Sequence, residues 1–136
     1  MRIPGLMVNL RRTGSVLMIT IGAVFVFGAF VNPPFLRPLL GLTCHRLPHR
    51  SFDWAPGLCA RCTFFWIGIF LSSLLMFFRK LPGSTVLGLF LMLPMALDGS
   101  FQFIGLYEST NIMRLLTGFS AGIGLCMFLE SGATSD

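Results

Sequence analysis

Charged residues are scarce in this 136-residue sequence. They make up 11% of the chain, and only five of them are acidic. Apolar residues make up 54%, and the mean hydropathy is +0.81. These values exclude an ordinary soluble domain. The composition therefore predicts an integral membrane protein.

The signatures of several common functions are also missing. The ten Lys and Arg residues are spread in small groups between apolar runs, so no basic face with interleaved aromatic residues can be drawn. This absence excludes nucleic acid as a partner. No phosphate-binding nucleotide loop, G-x-S-x-G elbow or H-E-x-x-H zinc motif occurs in the sequence. Function must therefore be sought in a small number of polar residues.

Four apolar segments approach the length of about 20 residues that a helix needs to cross a bilayer. We place the spans at about residues 13–32, 58–78, 84–105 and 111–129, which leaves residues 33–58 as a long first loop that carries most motifs. The predicted fold is an all-α integral membrane protein, a compact bundle of four transmembrane helices. We expect residues 1–136 to form a single membrane domain.

An even number of crossings places both termini on one side of the membrane and the first and third loops on the other. Three arginines, Arg2, Arg11 and Arg12, precede the first span. Because positive charge before the first span favours the cytoplasmic side, we expect cytoplasmic termini in the cell membrane. The motif-bearing loop is then expected on the outer face.

Three of the four cysteines form a compact pattern. Cys44 lies in the first loop, and Cys59-Ala60-Arg61-Cys62 begins the second span. Three thiolates and one imidazole complete a tetrahedral zinc site. We therefore expect a metal ion, zinc by preference, bound by Cys44, Cys59, Cys62 and His45, with His49 as the alternative to His45. The fourth cysteine, Cys126, lies among apolar residues of the last span and is expected to be a buried packing residue.

The same cysteines allow two other functions. A C-x-x-C motif at a helix start can form a reactive disulfide, because the helix dipole and a neighbouring arginine stabilise the thiolate. A membrane thiol-disulfide oxidoreductase is therefore the second hypothesis, and oxidised cysteines would hold no metal. The third hypothesis is a non-catalytic accessory subunit of a larger membrane complex, in which the cysteines only brace the first loop.

A second group of polar residues lies at the ends of the third and fourth spans. An ionisable residue in a span is costly unless it is paired, and Asp98 is such a residue. We expect Arg114 on the adjoining span as its partner, either in a structural salt bridge or in a catalytic site. The catalytic candidates are Asp98, Gln102, Asn111 and Arg114.

The remaining expectations concern partners. Arg46, Arg50 and Arg61 outnumber the one acidic residue of their region, Asp53. They predict an anionic ligand, either a lipid headgroup or a phosphorylated or carboxylated substrate. In the last span, Gly118 and Gly122 form a small-residue face that can pack on another span of this chain or on a second copy. The expected partners are membrane lipids, with a homo-oligomer or larger membrane complex formed through this glycine face.

Taken together, the polar motifs resemble a family of small prokaryotic membrane proteins known as domain of unknown function 2085. The resemblance covers roughly residues 40–124 and rests on motifs in a fixed order. The motifs are Cys44-His45-Arg46-Leu47-Pro48-His49-Arg50-Ser51-Phe52, Cys59-Ala60-Arg61-Cys62-Thr63, Asp98-Gly99 with Gln102, and Glu108-Ser109-Thr110-Asn111 with Arg114, Thr117 and Gly118. The resemblance brings no established activity. It implies that these polar residues belong to one motif set.

Overall fold

The computed structural model describes residues 4–45, 47–79 and 83–134. Within these ranges the chain is helical, and the only β-pairing is an isolated bridge between Phe52 and Ala55. Two short 3-10 turns, Pro34–Leu36 and Pro48–Arg50, interrupt the first loop. The α-helices are α1 (Pro4–Val31), α2 (Arg37–Thr43), α3 (Ala60–Phe78), α4 (Thr85–Phe103) and α5 (Asn111–Thr134).

Four of the helices are long and apolar enough to cross a membrane. The segments are Arg11–Val31 of α1, all of α3 and α4, and Asn111–Gly132 of α5. Large apolar side chains, among them Val86 and Phe90, lie on the outside of the bundle, where lipid would contact them. The predicted all-α bundle of four transmembrane helices is confirmed, and the protein is a multi-pass membrane protein.

The last helix extends beyond the span that the sequence indicates. The sequence places the end of that span at residue 129, before a polar tail, whereas α5 continues to Thr134. The reason is that Glu130 is not a solvated tail charge. It is buried, and it forms an ion pair with Arg11 of α1. A carboxylate with such a partner can be taken up by the bundle, so the helix need not end before it.

The spans pack in the order α1, α3, α5, α4. Thus α3 lies between α1 and α5, and α5 lies between α3 and α4. The helices α3 and α4 are not packed against each other along their lengths. A groove therefore opens between α3 and α4, with α5 as its floor.

Glycines bring α5 close to α3. A Cβ on Gly118 would collide with the carbonyl oxygen of Arg61, and a Cβ on Gly122 would collide with that of Phe65. Close contacts of this kind are typical of small-residue faces between membrane helices. Of the two contacts that the sequence allows for the face of Gly118 and Gly122, the structure contains the one with another span of the same chain, α3. The homo-oligomer or larger complex stays an expectation.

The first loop is folded onto the bundle rather than free. Asn32 adopts a positive φ of 47°, and Pro33 follows it, so α1 ends there. Leu40 of α2 and Leu58 are almost completely buried in a cluster with Phe25 of α1. These contacts hold the two ends of the loop beside the start of α3.

Candidate metal centre and arginine cluster

The three motif cysteines converge at the start of α3. Cys44 follows α2, Cys59 immediately precedes α3, and Cys62 lies in the first turn of α3. Their sulfur atoms all lie within 4.8 Å of one another. The backbone N–H of Cys59 donates to Cys44 Sγ at 3.4 Å, and Cys62 Sγ donates to the Thr43 carbonyl oxygen at 3.6 Å. Two chain segments 15 residues apart therefore present their thiols to one point.

The packing of the first loop fixes this arrangement. Cys44 belongs to the same buried cluster as Leu40 and Leu58, and Cys59 and Cys62 pack against that cluster. The backbone N–H of Gly57 also donates to the Ala29 carbonyl oxygen at 2.9 Å, which ties the end of the loop to α1. The positions of the thiols are thus set by apolar burial and by backbone hydrogen bonds, and not by the cysteines alone.

The sulfur geometry is close to that of a thiolate metal site. Zinc–sulfur bonds of about 2.3 Å in a tetrahedron separate the sulfur atoms by about 3.8 Å. That distance lies within the 4.8 Å that bounds the separations of the three sulfur atoms. The hydrogen bond with Cys44, together with burial, raises the pKa of the Cys59 thiol above its ordinary value. A bound metal would displace the thiol protons, as it does in thiolate sites generally.

The two histidines do not join the group of thiols. Among the described residues, no imidazole nitrogen lies within 4.8 Å of all three sulfur atoms. His45 is exposed, but it lines the same hollow of about 350 Å³ as the cysteines. His49 does not line that hollow, and its Nε2 accepts a hydrogen bond from Arg50 Nε at 3.2 Å. Of the two imidazoles, His45 is therefore the one that faces the hollow of the cysteines.

The partner of Asp98 differs from the expected one. Asp98 is 5% exposed and forms an ion pair with Arg61 of α3, not with Arg114. The same Arg61 nitrogen, Nη2, also donates to Gln102 Oε1 at 3.1 Å and to Ser109 Oγ at 3.3 Å. The close approach of α3 to α5 brings the long guanidinium side chain within reach of α4. The expected Asp98–Arg114 pair is therefore corrected to Asp98–Arg61.

Arg114 is buried nearby but has neutral partners. Its Nε donates to Ser109 Oγ at 3.1 Å, and its Nη1 donates to Asn111 Oδ1 at 3.1 Å. No carboxylate pairs with it in the part of the chain that the structure describes. All four catalytic candidates thus lie in or beside one cluster, in which Ser109 Oγ accepts hydrogen bonds from both Arg61 and Arg114.

Tyr107 is a site residue that the sequence did not indicate, and Ser109 was indicated only as a member of the motif Glu108-Ser109-Thr110-Asn111. Gly105 has φ +79°, and the Leu106 N–H donates to the Phe101 carbonyl oxygen at 3.1 Å, so α4 ends in a turn that reverses the chain. This turn brings the Tyr107 hydroxyl back to donate to Asp98. That hydrogen bond raises the pKa of Tyr107 above its ordinary value. A glycine soon after an apolar helix is a sequence signal for such a turn, although it does not reveal which residue the tyrosine contacts.

Two of the three predicted anion-binding arginines lie at the hollow of the cysteines. Arg61 and Arg50 both line the hollow of the cysteines. Arg50 Nη2 lies 3.8 Å from Glu108 Oε1, and the Glu108 side chain is 80% exposed. Arg46 lies outside the described residues. The cluster around the hollow is therefore rich in guanidinium groups.

Cys126 lies apart from this site. It is buried in α5, and its Sγ is 3.2 Å from Ser73 Oγ of α3. A small, buried and weakly polar contact between two packed helices fits the expected packing role.

Comparisons with known proteins agree with the membrane architecture. A family model described as "Predicted membrane protein (DUF2085)" matches residues 44–128. An uncharacterised protein of Methanothermobacter thermautotrophicus is 37% identical over 93 residues, which cover 64% of this chain and 84% of the relative. A protein of Methanocaldococcus jannaschii described as "Uncharacterized protein MJ1492" is 35% identical over 103 residues, 69% of this chain and 65% of the relative. No solved structure matches the chain at a significant level.

Proposed function

The chain belongs to the DUF2085 family of membrane proteins, and we propose that it binds one zinc ion at the end of the helix bundle where α3 begins. The ligands are Cys44, Cys59, Cys62 and His45. The observation that carries this proposal is the convergence of three sulfur atoms within 4.8 Å from two separate chain segments. The matched part of the family model, residues 44–128, includes all four ligands.

The chemistry of the donors favours zinc. Three thiolates form a soft ligand set, which suits zinc and disfavours magnesium and calcium because those ions prefer oxygen ligands. His45 supports the proposal better than His49 does, since His45 already lines the hollow and His49 interacts with Arg50. Rotation of the exposed His45 side chain toward the sulfur atoms would complete a tetrahedral set.

The neighbouring arginines fit a thiolate centre. Three thiolates and one Zn²⁺ leave a single net negative charge at the site. Two guanidinium groups, of Arg50 and Arg61, line the same hollow and would stabilise that charge. Asp98, Gln102 and Ser109 hold the Arg61 guanidinium in position. Such partners orient and tune a metal centre without touching the ion.

The experiment that tests the proposal combines elemental analysis with thiol counting on protein purified in mild detergent. We expect one zinc ion per chain, with the motif thiols unreactive until the protein is denatured. The Cys59→Ser variant should lose the zinc. The matched control is Cys126→Ser, which alters a buried cysteine remote from the site and should retain it. Equal zinc content in both variants would contradict the proposal.

A second candidate function uses the same thiols without a metal. Its supporting observation is that the N–H of Cys59 donates to Cys44 Sγ, a contact that stabilises a thiolate on Cys44. Oxidation of two thiols to a disulfide would pass two electrons and two protons to a quinone or a protein disulfide. In the same experiment, absence of zinc together with two missing thiols before reduction would favour this function. Absence of zinc with all thiols reduced would contradict both.

We also propose the orientation in which both termini are cytoplasmic and the hollow opens on the outer face. The three arginines before the first span support it. On that face zinc would protect the thiols from oxidation, because extracytoplasmic cysteines otherwise tend to form disulfides. A membrane-impermeant thiol reagent should label Asp53→Cys in intact cells and should not label Gly132→Cys. The opposite pattern would reverse the orientation.

A further inference from the structure

The groove between α3 and α4 has the size and lining of a binding site for an apolar chain. Its volume is about 740 Å³, within the range of about 300–1,000 Å³ that is usual for small-molecule sites. Apart from Arg61 and Ser100, the lining is apolar or glycine, and it includes Phe65, Met92 and Phe103. Because α3 and α4 are membrane spans that do not pack on each other, the groove opens toward the lipid.

One end of the groove contains a guanidinium nitrogen without an acceptor. Arg61 lines both the groove and the hollow of the cysteines. Its Nη2 serves Asp98, Gln102 and Ser109, whereas its Nη1 has no acceptor among the described residues. Nη1 lies 3.5 Å from the place that a Cβ on Gly99 would occupy. Gly99 lines the groove, so the missing side chain at this position leaves Nη1 accessible from it.

The charges around this nitrogen favour an anion. Three guanidinium groups, of Arg50, Arg61 and Arg114, lie in this region, and its one buried carboxylate is that of Asp98, which pairs with Arg61. Glu108 is 80% exposed, and its 3.8 Å contact with Arg50 is weakened by water. Even if a zinc centre adds its single negative charge, the third guanidinium charge faces only the exposed carboxylate of Glu108 and lacks a buried counter-charge. An acidic group bound at Nη1 would supply it.

We propose that the groove binds one acidic phospholipid, with an acyl or alkyl chain along the groove and the headgroup phosphate on Arg61 Nη1. Arginine is suited to this contact because its planar guanidinium pairs with phosphate oxygens by charge-assisted hydrogen bonds. The polar end of the groove lies beside the hollow of the cysteines, so the bound headgroup would adjoin the candidate metal centre. The proposal shares Arg61 with that centre but uses none of the cysteines, and it does not rest on the presence of zinc.

Native mass spectrometry of delipidated protein in mild detergent tests this proposal. Phosphatidylglycerol and phosphatidylcholine are added in equal amounts, and the lipids retained per chain are counted. We expect one phosphatidylglycerol to be retained with about a fivefold preference, because its net negative charge of one faces one guanidinium, whereas the choline cation of phosphatidylcholine cancels the charge of its phosphate. Equal retention of the two lipids would overturn the proposal.

A blocking variant and its control locate the site. Gly99→Leu places a side chain between Nη1 and the groove, and the fivefold preference should disappear. Gly132→Leu makes the same change where no atom lies within 4 Å of an added Cβ, and the preference should persist. A preference that survives Gly99→Leu would show binding elsewhere and would overturn the assignment. The zinc content of the same samples shows whether the metal proposal holds, independently of the result for the lipid.

Two further measurements keep the test decisive if Gly99→Leu folds poorly. Arg61→Lys keeps a positive charge beside Asp98 but lacks a second terminal nitrogen for the headgroup, so it should also lose the lipid preference. Excess glycerol phosphate should leave the lipid bound, because the chain in the groove contributes to binding. Displacement by glycerol phosphate would show that the headgroup alone binds, and it would overturn the role of the groove.

Discussion

The identity of the arginine that pairs with Asp98 leads to a quantitative prediction. Asp98 is 5% exposed, and the Arg61 side chain is 16% exposed. Removal of one member leaves the other charge buried without its counter-charge, which costs about 3–5 kcal/mol. We therefore expect Arg61→Met and Asp98→Leu each to reduce the free energy of unfolding by about that amount. The double variant should be more stable than either single variant, because an apolar pair replaces a buried ion pair at little net cost.

A double-mutant cycle measured by unfolding in mixed detergent micelles isolates this interaction. The coupling energy between Arg61 and Asp98 should amount to several kcal/mol, on the order of the single-variant losses. A parallel cycle pairs Asp98→Leu with Arg114→Met. Since Arg114 contacts Ser109 and Asn111 instead of the carboxylate, its coupling to Asp98 should stay below about 1 kcal/mol. A stronger coupling of Asp98 to Arg114 than to Arg61 would refute the reasoning.

Three further predictions concern packing, pH and the folded loop. Gly118→Ala should destabilise the bundle in thermal unfolding, because its Cβ collides with the backbone of α3, whereas Gly132→Ala should not. The hydrogen bond from Tyr107 to Asp98 should stabilise the fold at neutral pH and be lost as pH rises through the raised pKa of the tyrosine. A pH titration of stability should therefore show an alkaline loss that Tyr107→Phe removes, and an unchanged titration would contradict this contact. Leu40→Ala should cost about 2–5 kcal/mol and also lower the zinc content, because the first cysteine of the site packs in the same buried cluster. Full zinc retention by this variant would show that the metal site does not depend on the packing of the first loop, and it would contradict this prediction.

The fold could be predicted from sequence because its main determinant is local. A run of about 20 apolar residues predicts a membrane span whatever its neighbours are, and four such runs give the helices that the structure contains. The last helix was less predictable. The reason for its extension is the contact of Glu130 with Arg11, two residues at opposite ends of the chain.

The candidate site was predictable in its residue types and less so in its pairings. Spacing alone brings Cys59 and Cys62 together, whereas Cys44 joins them through the burial of the first loop around Leu40 and Leu58. The pairing of Asp98 depends on the order of helices around the bundle, which no spacing along the chain specifies. Two arginines, Arg61 and Arg114, were available on neighbouring spans, and only the close packing of α3 on α5 decides between them.

The most direct test of the central claim is X-ray absorption spectroscopy at the zinc edge on the purified protein in mild detergent. The account predicts one zinc ion per chain, with about three sulfur neighbours at about 2.3 Å and one nitrogen neighbour at about 2.0–2.1 Å. The sulfur shell should disappear in Cys59→Ser and remain in Cys126→Ser. A zinc ion surrounded only by oxygen and nitrogen, or protein that holds no zinc at all, would contradict the proposed centre.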